Sequence, residues 1–177
     1  MRTTLRIAGL ALLALGVVPA RADLAPRAAE PTPRATGVQE AAVLAVVLDP
    51  RTETPAVVLE GTRDHRRLAM AIGPAEATGI AVPLHGVTPP RPLTHDLFLT
   101  LFGRLKVSLT RVVITDLRDD IFYATVHLTG AGGEQALDAR PSDAIALAIR
   151  AHVPVLVEDR VFDKAGGDAA PARGPRI

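Results

Sequence analysis

The chain has 177 residues, 48% of them hydrophobic, with 20 basic against 19 acidic residues and no cysteine. That length suits one domain able to bury its own core. The missing thiols exclude disulfides, thiolate zinc sites, a cysteine nucleophile and a lipid anchor attached through a lipobox cysteine.

Met1 to Arg6 is a positively charged lead, Ile7 to Val18 an apolar run, and Ala20-Arg21-Ala22 fits the small-x-small cleavage rule. Such a run is too short to span a bilayer as a helix. Residues 1–22 therefore read as a cleavable secretory signal, with a secreted or periplasmic mature chain starting near Asp23 and no stable membrane anchoring. Cleavage removes Arg2, Arg6 and Arg21, leaving 17 basic against 19 acidic residues, about −2. A mature chain near neutrality lacks the basic footprint of a tight duplex binder.

Residues 23–37 are rich in Ala, Pro and Arg without periodicity and read as a flexible linker. The folded part is expected over 38–163, and 164–177 reads as a disordered tail. Ala41 to Leu48 is a continuous apolar run closed by Asp49-Pro50, the pattern of a buried strand. Ala56 to Glu60 and Arg66 to Ile72 follow across tight turns, which predicts an antiparallel meander. Gly73-Pro74 opens a helix that Pro83 and Gly86 stop. On it Glu76 shares the apolar stripe of Ala77, Ile80 and Leu84. Pro89 to Pro92 is a stiff connector. Thr94 is the expected cap of a second helix, with Leu97, Phe98, Leu101 and Phe102 as its core stripe. His95 falls at the edge of that stripe and Asp96 on the solvent side, so Glu76 should be less exposed than Asp96.

Val107 to Thr115 reads as a strand whose alternation changes phase near Arg111, the mark of a bulge. Asp116 to Asp120 reads as a turn. In Ile121 to Thr129 the residues Phe122, Ala124, Val126 and Leu128 face in and His127 faces out. Glu134 to Asp138 is a further strand after a glycine turn. Pro141 suits the first turn of a helix in which Ser142 and Asp143 can accept from unpaired amides. Ala144 to Ala151 is apolar on nearly every side, so that helix is expected to be buried. Val153 to Val157 ends the series. The expected fold is a single α+β domain, a largely antiparallel or mixed sheet with about three packed helices.

No phosphate-cradling glycine loop, nucleophile elbow, His-Glu-x-x-His or EF-hand loop occurs. What remains is a set of polar residues at helix starts: Glu76, then Arg91 with Thr94-His95-Asp96, then Asp138 to Asp143. If the helix starts meet at one sheet edge, these are the parts of a metal-assisted phosphodiesterase. Carboxylates hold Mg²⁺ or Mn²⁺, histidine moves protons, and arginine and helix N-termini steady phosphate. The alternative is a set of well-capped helices with an Asp–Arg pair, since a cap needs only its own neighbours.

The stretch Arg91-Pro-Leu-Thr-His-Asp-Leu97, followed by Asp138-Ala-Arg-Pro-Ser-Asp-Ala-Ile-Ala-Leu-Ala148, closely resembles the bifunctional nuclease (BFN) domain family. Ile72-Gly73-Pro74 with Glu76-Ala77, Val113 to Leu117 with Tyr123-Ala124, and Pro154 to Val157 resemble it too. The resemblance covers roughly 38–163 and implies a metal-dependent nuclease acting on DNA and RNA. It implies functional positions at His95, Asp96, Asp138, Arg140, Ser142 and Asp143, supported by Glu76. One departure is Ala71, where the family usually carries a larger or aromatic residue.

The expected roles are catalysis by His95, Asp96, Asp138 and Asp143, phosphate binding by Arg91, Arg140 and Ser142, and metal ligation by Glu76, Asp138 and Asp143. The expected partner is nucleic acid, bound weakly and without sequence preference, because aromatic side chains for stacking are few. A homo-oligomer is allowed. The competing expectation is a non-catalytic module whose helix N-termini recognise a small anion or a protein.

Overall fold

The computed structural model describes residues 37–50 and 52–166. The export signal expected over 1–22, the linker up to residue 36 and the tail beyond 166 lie outside the described residues.

Seven strands form one sheet in the order β3-β2-β1-β7-β4-β5-β6. Strands β1 (Val38–Leu48), β2 (Pro55–Gly61) and β3 (Arg67–Ala71) make the expected meander, antiparallel throughout. Strands β4 (Ser108–Arg118), β5 (Ile121–Gly130) and β6 (Gly133–Ala139) make a second one. The β4–β5 turn holds Asp119 and Asp120 at φ 48° and 61°, the twin left-handed residues that match a hairpin to strand twist. Strand β7 (Val155–Glu158) joins the two meanders, antiparallel to β1 and parallel to β4. That parallel pair needs a crossover, which α3 (Pro141–Ala151) supplies.

The bulge expected near Arg111 is present as a register shift between Leu109 and Arg111. A second shift lies between Ile114 and Asp116, so Asp116 is a buried strand residue rather than the start of a turn. Helix α4 (Asp159–Lys164) was not expected, and it carries ordered structure past residue 163. Its Val161 and Phe162 are buried, and Lys164 Nζ lies 2.6 Å from Asp116 Oδ1. With Arg118, this lysine holds the Asp116 carboxyl far below the usual carboxylate range.

Helix α3 is buried as predicted. Ser142 and Ala144 to Ala148 are all inside, and Ile145 sits in the core with Ile80, Ile114 and Phe162. Three alanines in five residues let α1 (Pro74–Leu84) and the sheet approach closely from both sides. Each large aliphatic side chain so buried contributes roughly 1.5–3 kcal/mol.

Helix α2 (Thr94–Arg104) departs from expectation, because none of its residues is fully buried. Leu97, Phe98 and Leu101, three of the four expected core residues, are exposed. The inward face carries His95, Leu99 and Phe102 instead. Two polar ties to α3, from His95 to Asp143 and from Asp96 to Arg150, turn the helix about its axis away from the apolar choice.

Candidate active site at the junction of three helix starts

Pro74 and Pro141 each occupy the first turn of their helices, where a missing N–H costs nothing. Neither Ser142 nor Asp143 caps α3, and Arg140 is the N-cap residue without a side-chain cap bond. Thr94 does not cap α2 either. The Asp96 carboxylate does so, accepting from Leu93 N at 2.8 Å. The Asp143 side chain is therefore free of capping and turns across to α2.

There His95 Nε2 lies 3.2 Å from Asp143 Oδ1. Arg140 donates from Nε to Asp143 Oδ2 at 2.8 Å and from Nη2 to Oδ1 at 3.2 Å, a forked contact on one carboxylate. Its Nη1 donates to Glu76 Oε1 at 2.7 Å, so one guanidinium joins the starts of α1 and α3. Three of its five N–H groups are used and two remain for a ligand. The Arg140 side chain is largely exposed, that of Asp143 partly buried, and that of His95 mostly buried.

These contacts set the protonation states. Burial pushes the Asp143 carboxyl up, but Arg140 and His95 outweigh it and hold it below its ordinary value. Glu76 is lowered by a hydrogen bond from its own backbone amide and then by Arg140. Arg140 is raised by Asp143 and Glu76, so it stays cationic.

Two residues that sequence reasoning missed hold this geometry. The buried Arg150 donates to Asp96 Oδ1 at 2.7 Å, to Gly79 O at 2.6 Å and to Ala146 O at 2.9 Å, tying α1, α2 and α3 together. Gly79 lets the His95 ring lie against α1, since a Cβ there would meet ring atoms Cε1 and Nδ1 at 3.1 and 3.3 Å. A glycine inside a helix costs about 1 kcal/mol relative to alanine, and that cost was the available signal.

The other expected residues are placed as follows. Asp96 is half-buried, not on an open solvent face, with its carboxylate committed to Arg150 and Leu93. Its side chain is nevertheless more exposed than that of Glu76, 34% against 22%, as predicted. Asp138 pairs with Thr125 in the β5–β6 ladder and is exposed, and it shares the wall of one cavity with His95, Arg140 and Asp143. Arg91 is exposed in the connector. Ser142 is buried beside Ala71, Glu76 and Arg140 around a cavity of about 370 Å³.

On the other side of Arg140 a cavity of about 560 Å³ is lined by Glu76, Gly79, Thr94, His95 and Asp143. A third, of about 590 Å³, continues from His95 and Asp143 past Phe98 to Leu137. Among the described residues no three His, Cys, Asp or Glu side chains come together as a metal-holding group. Glu76 and Asp143 do converge, but on the guanidinium of Arg140, while Asp138 lies on the wall of the adjoining cavity. As arranged, the expected metal ligands do not make a cation cage.

A histidine–carboxylate pair beside an exposed arginine has the groups that chemistry on an anionic ester uses. The comparisons with known proteins bear on the family. The uncharacterized protein Rv1829 of Mycobacterium tuberculosis is 39% identical over 127 residues, covering 72% of this chain and 76% of that one. Bifunctional nuclease 1 of Oryza sativa subsp. japonica is 32% identical over 81 residues, covering 44% of this chain and 24% of the rice protein. The family model for the bifunctional nuclease domain matches residues 57–170, a span that contains Glu76, His95, Arg140 and Asp143, and the chain belongs to that family.

Proposed function

We propose that the protein hydrolyses phosphodiester bonds in unstructured DNA and RNA at the junction of α1, α2 and α3. The observation that carries this reading is the His95–Asp143–Arg140 constellation on a cavity wide enough for a nucleotide. Membership of a nuclease family supports the reaction class.

The chain's own groups divide the work as follows. Arg140 offers its two remaining N–H groups to a phosphate oxygen, and charge-assisted N–H···O⁻ bonds there stabilise the charge that builds on phosphorus. Asp143 orients the His95 ring through Nε2, which leaves Nδ1, on the Gly79 side, to take a proton from water. The water oxygen bonds to phosphorus, the P–O bond to the departing nucleoside breaks, and that oxygen acquires a proton. Glu76 holds the far side of the guanidinium, fixing where phosphate is met. With four Phe, one Tyr and no Trp in the chain, stacking is limited and binding to single strands should be weak.

The full chain is tested on single-stranded DNA and RNA, with and without EDTA. Cleavage that persists in EDTA and disappears in His95→Ala is expected from the residues as arranged. Loss in EDTA with recovery in Mg²⁺ or Mn²⁺ would mean that Glu76 and Asp143 exchange Arg140 for a cation in the working enzyme. No cleavage under either condition overturns the reading. Export belongs to the same proposal, supported by the leader pattern of residues 1–22. N-terminal sequencing from the native compartment should find a chain beginning near Asp23, and an intact Met1 in the cytosol would sink that part.

A further inference from the structure

The outer face of α2 has no partner on the described chain. Leu97 is 64% exposed, Phe98 47%, Leu101 48% and Leu105 63%, and Leu137 on the neighbouring edge strand β6 is 46% exposed. Together they make an exposed apolar patch, a feature that often marks an interaction site.

We propose that this face is where a second copy of the chain docks, with the two α2 helices antiparallel about a two-fold axis at Leu101. The spacing of the exposed residues is what points to a copy of itself. Leu97 and Leu105 stand four residues before and four after Leu101, so the pattern reads the same from either end. A two-fold interface must be self-complementary in this way. At about 100° per residue, Phe98 and Leu105 fall on the β6 side of Leu101, while Leu97 and Arg104 fall on the other.

Antiparallel pairing then sets Phe98 against the second copy's Leu105 on one side. On the other, the aliphatic stem of Arg104 covers the second copy's Leu97 while its head group stays in water. No charge is buried without a partner, and the two helix dipoles oppose one another. The second copy also closes the open side of the cavity that runs from His95 past Phe98 to Leu137. A single helix face paired with its copy belongs at the low end of specific interfaces, about 1,200 Å² or less. The dimer should therefore dissociate in the micromolar range.

Assembly is read by mass, independently of any hydrolytic activity. Sedimentation of the full chain from about 1 to 200 µM should show monomer passing to dimer by mass action. Leu101→Glu sets two carboxylates on the axis and should weaken the dimer about a hundredfold or more. Its circular dichroism should be unchanged, because Leu101 is a half-exposed helix residue. Leu101→Arg alone should likewise stay monomeric, whereas an equimolar mixture of the Leu101→Glu and Leu101→Arg chains should recover the dimer. Val87→Glu, at an exposed position outside α2, should leave assembly intact. A wild-type chain that stays monomeric across the range overturns the proposal, whatever else covers α2. So does a charge-swapped mixture no more dimeric than its components.

Discussion

Two clusters in which an arginine holds carboxylates contrast in their access to water. Arg66 donates to Asp64, Asp159 and Asp163 at 2.7–2.9 Å and lies 4.9 Å from the ring centroid of Phe162. Its side chain is 7% exposed. Gln39 and Arg63 complete the cluster by donating to Asp159 Oδ1, which ties the β2–β3 turn and the start of β1 to α4. Arg140 also holds two carboxylates, at 2.7 and 2.8 Å, yet its side chain is 64% exposed. A charge enclosed on every side can only hold structure, because moving any partner strands the others away from water. A charge held on one side and open on the other can meet a ligand. The first cluster staples the fold, and the second is where chemistry is proposed.

The contrast is broken most strongly by removing Arg66. Arg66→Ala takes from the buried Asp159 one of its two cationic partners among the described residues, removes the same guanidinium from Asp64 and Asp163, and should cost about 3–5 kcal/mol. Urea denaturation followed by circular dichroism measures this, and a loss below about 1 kcal/mol would show that the staple is dispensable. Next in size, His95→Ala should lower cleavage by about 10²–10⁴-fold. Its melting temperature should move by only a few degrees, since His95 makes one polar contact at the open cluster.

Gly79→Ala is a finer probe, because it changes only the surface on which the His95 ring rests. Alanine adds up to about 1 kcal/mol of helix propensity, while its Cβ pushes the ring out of place. Stability should hold or rise slightly as cleavage falls about tenfold. A variant as active as the parent would show that the ring position is not critical.

The smallest effect is on stability against pH. Glu76, Asp96 and Asp143 all have pKa values depressed in the folded chain. Each therefore contributes stability above the ordinary carboxylate pKa of about 4, and loses it as pH falls through that value toward the lowered folded one. Melting curves from pH 7 down to about pH 3 should show a decline that Asp143→Asn makes shallower. An unchanged slope would mean that the open cluster adds nothing to the fold.

Much of the architecture was legible because it rests on local periodicity. Alternation in Phe122, Ala124, Val126 and Leu128 has one solution as a half-buried strand, and a helix apolar on every side, as α3 is, can only be inside. The order of strands and helices followed, apart from α4. That helix has six residues and only Val161 and Phe162 as apolar signal, and short helices gain their stability from packing. The candidate site was legible as residue types at helix starts. His95, Arg140, Asp143 and Glu76 do meet and Asp138 lines the adjoining cavity, whereas Asp96 is held by Arg150 and Arg91 is exposed in the connector.

By itself the sequence determined which segments are strands and helices and which of them is buried, because those follow from the period of apolar residues along one segment. Only the tertiary structure decided how α2 is turned about its axis. Its apolar stripe and its polar edge compete for the inward position, and the outcome depends on partners in α3 that lie 48 and 54 residues away. Asp143 and Arg150 claim His95 and Asp96, and these ties keep Leu97, Phe98 and Leu101 on the surface. A helix carries no record in its own residues of what stands opposite it, so the site and the exposed face beside it both emerge only when the helices pack.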